Sequence, residues 1–148
     1  MPHIRPIAIC VFQHQDKILV FEEYDFVKKQ IFYRPLGGGI EFGETGAETI
    51  RREMMEEMNV EVTNLKYLGT LENIFVFNGK TGHEIVQVYD GRLVDPGMYE
   101  QAEMSALETD GNQMCVLWKR LDEFNSESPL YPDGLLEMLH SRQINKGI

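Results

Sequence analysis

This chain is short of cysteine, of basic residues and of long apolar runs. Two cysteines among 148 residues, Cys10 and Cys115, are too few and too far apart for a disulfide framework or a metal-binding cysteine cluster. Each stands in a strand-like context, and buried thiols in a reducing compartment, the cytoplasm, are the expectation. Basic residues number 14 against 24 acidic ones, a formal net charge of −10. Such a chain repels polyanions, which argues against a binder of duplex nucleic acid, and a small anionic ligand would need a cation to bridge the repulsion. No run approaches the length of a membrane span, and the first five residues carry no apolar stretch after a basic start, so no secretion signal is expected. Repeats, low-complexity segments and interdomain linkers are also absent. With 43% apolar and 26% charged residues, residues 1–148 read as one globular domain with a full core.

Against this background residues 36–60, LGGGIEFGETGAETIRREMMEEMNV, carry most of the information. Three glycines, Gly37, Gly38 and Gly39, suggest a loop, and a helix follows. Thr45 with Glu48 three residues later is a capping box that satisfies the first free N–H groups. Ala47, Ile50, Met54 and Met58 then recur at helical spacing as one apolar stripe. Asn59, tolerant of left-handed backbone, ends the helix. Glu53, Glu56 and Glu57, at i, i+3 and i+4, share another face. Like charges at this spacing repel, and Glu56 and Glu57 occupy the negative end of the helix dipole, where cations are preferred. Only Arg51 and Arg52 are basic on this helix. A solvated acidic face accounts for many such triplets; beside a glycine loop, a bound divalent cation accounts better for this one, with oxygen ligands suiting Mg²⁺ or Mn²⁺.

The order Gly38, five residues, Glu44, seven residues, Arg52-Glu53-Met54, one residue, Glu56-Glu57, one residue, Asn59-Val60 resembles the box of the Nudix (MutT-like) hydrolases. Every position agrees except Asn59, where that family has Gly, and Leu36 stands where many members have Pro, with Pro35 displaced by one. The box spans 23 of 148 residues. The resemblance implies an α/β fold, a mixed sheet sandwiched between helices, and Mg²⁺-dependent (or Mn²⁺-dependent) hydrolysis of the diphosphate link in a nucleoside diphosphate derivative, such as a nucleoside triphosphate. It implies Glu53, Glu56, Glu57 and the Gly37 carbonyl as metal ligands, with Glu53 and Glu57 catalytic and Arg52 holding the glutamates. Glu44 would stand behind them, reaching the metal through water. Water activation is assigned to Glu53, with Glu100, Glu103 and Glu108 as alternatives from a distal loop. The partner is a small nucleotide; a homodimer is left open, no interface signature being visible. A non-catalytic ligand sensor on the same fold is the competing function, weakened because Arg52, Glu53, Glu56 and Glu57 are all present.

Outside the box the residues say less. Arg34 and Arg5 are candidates for phosphate contact, each equally suited to a structural ion pair, and Glu41 is as easily a solvated loop acid. Phe75, Phe77, Tyr89, Tyr99 and Tyr131 could each stack on a base, but aromatics in strands are more often core and none of them is singled out. His83 is a weaker candidate, and Trp118 reads as core. In chain order, strands are expected at residues 7–12 and 17–22, a loop at 24–30, and β structure over 62–77 with a bend or bulge at Gly69. A hairpin turn follows at residues 78–82, then a strand over 83–94. Residues 95–112 are expected to form a mobile loop or a short helix near 100–107, residues 114–118 a strand, and residues 130–142 a helix capped by Asp133.

Overall fold

The computed structural model describes residues 2–108 and 110–146. Seven strands form one mixed sheet: β1 (Arg5–His14), β2 (Lys17–Asp25), β3 (Gln30–Gly39), β4 (Val62–Phe77), β5 (Lys80–Leu93), β6 (Glu103–Leu107) and β7 (Gln113–Arg120). Helix α1 (Gly46–Met58) and helix α2 (Leu135–Lys146) cover its two faces. The strand order is β4-β5-β1-β3-β2-β7-β6; β1 and β5 run parallel and every other pairing is antiparallel. Among the described residues no helix is long and apolar enough to cross a membrane.

The centre of the sheet explains the unbroken apolar run in β1. Residues 7–12 are all buried because alternate side chains enter two different cores. Ile7, Ile9 and Val11 join Val86, Val88, Leu135 and Leu139 beneath α2. Ala8, Cys10 and Phe12 join Leu19, Leu36, Ile50 and Met54 beneath α1. Ile50 and Met54 are essentially sealed, contributing about 1.5–3 kcal/mol each to fastening α1 on the sheet. Thr49 and Gly46 are buried on the same helix; small size at Gly46 lets the first turn sit against Gln87 and Tyr89.

The ends of α1 follow the expected chemistry. Thr45 accepts from the Glu48 N–H at 3.1 Å, and the Glu48 side chain reaches back to the Thr45 N–H. Asn59 closes the helix at φ 55°, ψ 44°, in the left-handed region. Here Asn does what Gly would do. We therefore expect Asn59→Gly to change unfolding free energy by only a few tenths of a kcal/mol and Asn59→Ala to lower it by about 1 kcal/mol; denaturant titration checks both, and equal losses would refute the geometry.

Several expectations need correction. The glycines form no loop: Gly37, Gly38 and Gly39 end β3 and pair with Ile9, Ala8 and Ile7 of β1. Residues 24–25 extend β2, leaving only residues 26–29 as a turn, which the Asp25 carboxylate closes by accepting the Val27 and Lys28 N–H groups. Within residues 95–112, Pro96–Tyr99 is a 3₁₀ turn and Glu103–Leu107 is strand β6, held by its ladder to β7. Helix α2 begins at Leu135 rather than at 130, because Gly134 has φ +91° and the chain cannot be helical through it. Cys115 is exposed, since β7 alternates and its neighbours Met114 and Val116 point inward; Cys10 is buried as expected. The turn at Asn78 and Gly79 (φ 50° and 79°) and register shifts before Gly69 stand where expected.

Candidate active site

Helix α1 lies across the ends of β3 and β1, so its acidic face meets the three glycines. That approach needs bare backbone. A Cβ on Gly37 would fall 2.0 Å from the Ala8 carbonyl oxygen, and one on Gly38 would fall 2.5 Å from Cδ of Glu53. Gly38 is thus the space in which the Glu53 carboxylate sits.

Arg52 organises this face. Its Nε and Nη2 fork onto Glu44 at 2.7 and 2.9 Å, the planar match of guanidinium to carboxylate. Nη1 donates to Glu53 at 2.9 Å and to Glu56 at 3.3 Å, and Nη2 also donates to the Gly39 carbonyl at 3.0 Å. One side chain thereby ties the helix to the end of β3. Glu44 accepts in addition from the Thr49 hydroxyl at 2.6 Å and from the Glu41 N–H at 3.2 Å. These bonds to Arg52 and Thr49 lower the Glu44 pKa from 4.5 to about 2. With its oxygens so engaged, Glu44 is a fixed counter-charge for Arg52. Glu41 is mostly exposed, 3.6 Å from Arg52.

Glu53 and Glu57 are a different kind of pair. They line one cavity of about 350 Å³ together with Gly37, Gly38 and Gly39. Burial, then the hydrogen bond and charge of Glu53, push the Glu57 carboxyl well above its ordinary range. Glu56 does not line that cavity; its side chain is 59% exposed and turned to Arg52. The stretch after β6 contributes Glu108 and Asp110, and β2 contributes Glu23. Of the three distal glutamates considered, Glu108 reaches the site and Glu100 and Glu103 do not. Burial raises the Glu108 carboxyl, as does Asp110, and no cation pairs with it among the described residues. Glu23, also raised by burial, was not anticipated. The available signal was strand periodicity: Glu23 lies on the same side of β2 as Leu19 and Phe21, whereas Glu22 faces away.

Arg5 lies at the cavity rim, its side chain 54% exposed. It and Arg34 converge on the buried Glu84, at 3.7 and 2.9 Å. Arg5 and Glu23 also line a second cavity of about 810 Å³, which contains Arg34, Phe32, Phe75, Phe77, Tyr131 and His83. The two spaces therefore adjoin at Arg5 and Glu23. Tyr89 and Tyr99 lie outside both: Tyr89 packs beside Gly46, and Tyr99 stacks on Trp118, itself half-buried rather than core.

Among the described residues no three acidic, histidine or cysteine side chains are already arranged around a cation. The donor chemistry still suits one. Mg²⁺ is commonly held by one or two carboxylates, with water and phosphate oxygens completing six positions. Glu53 and Glu57 supply two crowded, partly desolvated carboxylates, and Gly37 adds backbone in the same cavity. The fit rests on these three; Glu56 would have to leave Arg52 to join them.

A family model described as NUDIX domain matches residues 1–134. The chain is 36% identical over 69 residues, 47% of its length, to an NAD-capped RNA hydrolase NudC of Pseudomonas syringae pv. tomato, and spans only 24% of that protein. It is 36% identical over 66 residues, 45% of its length, to the human mitochondrial NAD(P)H pyrophosphatase NUDT13, spanning 18% of it. A NUDIX hydrolase from Nitrosomonas europaea has the same fold, at TM-score 0.64 and 17% identity, covering 99% of this chain and 91% of that one.

Proposed function

We propose, from the premise that this chain belongs to the NUDIX domain family, as its match over residues 1–134 shows, that it is a divalent-metal-dependent pyrophosphohydrolase. Its substrate is a free nucleoside diphosphate derivative, and its products are a nucleotide and a second phosphorylated fragment. The observation that carries this reading is the crowded Glu53–Glu57 pair in a small acidic cavity that adjoins, at Arg5 and Glu23, a larger aromatic one. The diphosphate belongs in the first space and the body of the substrate in the second. Among such substrates we favour dinucleotides of the NAD type. The similarity to an NAD-capped RNA hydrolase and an NAD(P)H pyrophosphatase supports that, and the adjoining cavities suit a substrate with a bulky group beyond its diphosphate. An RNA body is disfavoured by the net charge of −10. Free Cys10 and Cys115 suit the cytoplasm, where such nucleotides are found.

The roles follow from what each group touches. Glu53 and Glu57 would hold the cation, with the Gly37 carbonyl. A bound Mg²⁺ supplies neutralisation of the diphosphate charge and a more acidic water. Arg52 fixes Glu53 and is itself fixed by Glu44. Arg5, exposed at the junction, meets a phosphate oxygen. Proton acceptance moves from Glu53 to Glu108: Glu53 already accepts from Arg52 at 2.9 Å, which weakens it as a base, whereas Glu108 has a raised pKa and, among the described residues, no paired cation. Glu108→Gln should lower kcat about 10²–10⁴-fold with KM little changed; steady-state kinetics checks this, and an unchanged kcat returns the role to Glu53.

The deciding experiment is turnover with Mg²⁺ in ¹⁸O water across NADH, nucleotide sugars and nucleoside triphosphates, with Glu57→Gln protein as blank. We expect a diphosphate-linked compound to be cleaved far above the blank, with the label on a phosphate. No cleavage of any compound above the blank would overturn the enzyme and favour a ligand sensor.

A further inference from the structure

The hydrolytic residues use only the smaller cavity, and the larger one contains a polar group without a partner. Asn73 on β4 is buried at 4% exposure, lines the 810 Å³ cavity, and makes no hydrogen bond through its side-chain amide among the described residues. No side-chain nitrogen or oxygen there is both sealed and unpartnered, so the amide opens into the cavity. Its ladder neighbour Glu84 does not serve it, being taken by Arg34 and Arg5. A buried amide left without a partner is unfavourable unless a ligand completes it.

Two residues along, Phe75 lies on the same side of β4 and lines the same cavity. Opposite it is Gly82, where a Cβ would fall 2.4 Å from the ring, so the ring lies over bare backbone. Phe32 is packed against Phe77 and Tyr131, with ring centroids 5.6 and 5.4 Å apart. Phe75 has no ring partner among the described residues. The Phe75 ring, backed by Gly82, thus lines the same cavity as the unpartnered Asn73 amide.

The structure assigns this pair, we propose, to a nucleobase subsite that selects adenine: the base stacks on Phe75 and the Asn73 amide reads its edge. This rests on the reading that the diphosphate occupies the smaller cavity. An amide presents one donor and one acceptor side by side, the complement of adenine N7 and N6–H. Carboxylates choose between the purines. Glu23 and Asp133 line this space, while its arginines Arg5 and Arg34 are taken by Glu84, which favours an amino group at position six over the carbonyl oxygen of guanine. Stacking on Phe75 gives affinity without preference, because every base has a π face.

The test is calorimetric titration of the metal-free protein with AMP and GMP, which share the phosphate and cannot turn over. We expect AMP to bind about tenfold to a hundredfold more tightly than GMP. Asn73→Ser should remove most of that ratio, and Phe75→Leu should weaken both nucleotides alike. Asn73→Asp, whose carboxylate accepts from guanine N1–H and N2–H, should reverse the ratio. If the new charge beside Glu84 prevents folding, the Ser variant, checked by its melting curve, carries the test. Equal binding of AMP and GMP, or an unchanged ratio in folded Asn73→Ser, overturns the subsite. The hydrolase reading fails separately: turnover without base preference removes only the subsite, and AMP preference without turnover removes only the hydrolase.

Discussion

Replacing Glu57 by Gln is expected to lower kcat by about 10³-fold while leaving the metal-free protein slightly more stable. The two effects have one cause. Glu57 is desolvated beside Glu53, and both the burial and the neighbouring carboxylate oppose its charge. Without a cation that charge is a cost to the fold; with one it would become the attraction that holds the cation. Like charges at i and i+4 are worth roughly 0.2–0.5 kcal/mol, so removing one should raise the melting temperature by about 1 °C for a domain of this size. Losing a charged ligand removes transition-state stabilisation of the order seen when one preorganised donor is lost, about 10²–10³-fold or more. Glu53→Gln should lose activity comparably without the gain in stability, because it also breaks the bond from Arg52. Scanning calorimetry in EDTA and in Mg²⁺, alongside steady-state kinetics, separates the terms. Near-normal turnover in both variants would remove Glu53 and Glu57 from the site.

What was legible in the sequence was what local chemistry decides. The capping box at Thr45 and Glu48, the stripe through Ile50 and Met54, and the Asn59 terminus each act within a few residues, and all of α1 follows. The Asn78-Gly79 turn is local in the same sense. The placing of Arg52 among the glutamates was legible because Glu48, Glu53 and Glu56 lie within one turn. Its strongest partner, Glu44, is eight residues away and outside the helix. That contact depends on how the segment after β3 folds back.

The failures share a different cause. Gly37–Gly39 have no strand propensity, and in β6 Glu103, Met104, Ala106 and Leu107 are helix formers; both are strands because another strand offers a ladder, β1 in one case and β7 in the other. Glu23 reaches the cavity from β2, and Glu108 and Asp110 from the stretch after β6, so their convergence is a property of topology. Arg34 and Arg5 illustrate the point from the other side. Each was equally suited to a phosphate or to an ion pair, and both pair with Glu84, yet Arg5 keeps an exposed place at the junction of the two cavities. The sequence named Glu53 and Glu57 as candidates; the sheet decided which distant acids stand beside them.

Arg52→Ala is expected to lower kcat at least tenfold to a hundredfold and to reduce stability in a way that fades at low pH. The activity loss follows because Arg52 touches no cavity wall itself but holds Glu53 against Gly38; losing a group that orients a ligand costs about that much. Arg52→Lys should recover part of it, since an ammonium can reach one carboxylate but cannot fork onto Glu44 and still serve Glu53. The stability loss has a definite pH signature. The Glu44 pKa is depressed in the folded protein, from 4.5 to about 2, chiefly by Arg52. A depressed carboxyl contributes stability that is fully present above its unfolded pKa and is lost as pH falls through its folded pKa. The difference in melting temperature between the original protein and Arg52→Ala should therefore be constant above about pH 5 and shrink progressively from pH 4.5 towards 2. Glu44→Gln in the Arg52→Ala background should cost little more, because the partner is already gone. A difference that stayed flat across that window would mean that Glu44 does not depend on Arg52, and a folded Arg52→Ala with full kcat would mean that Glu53 does not either.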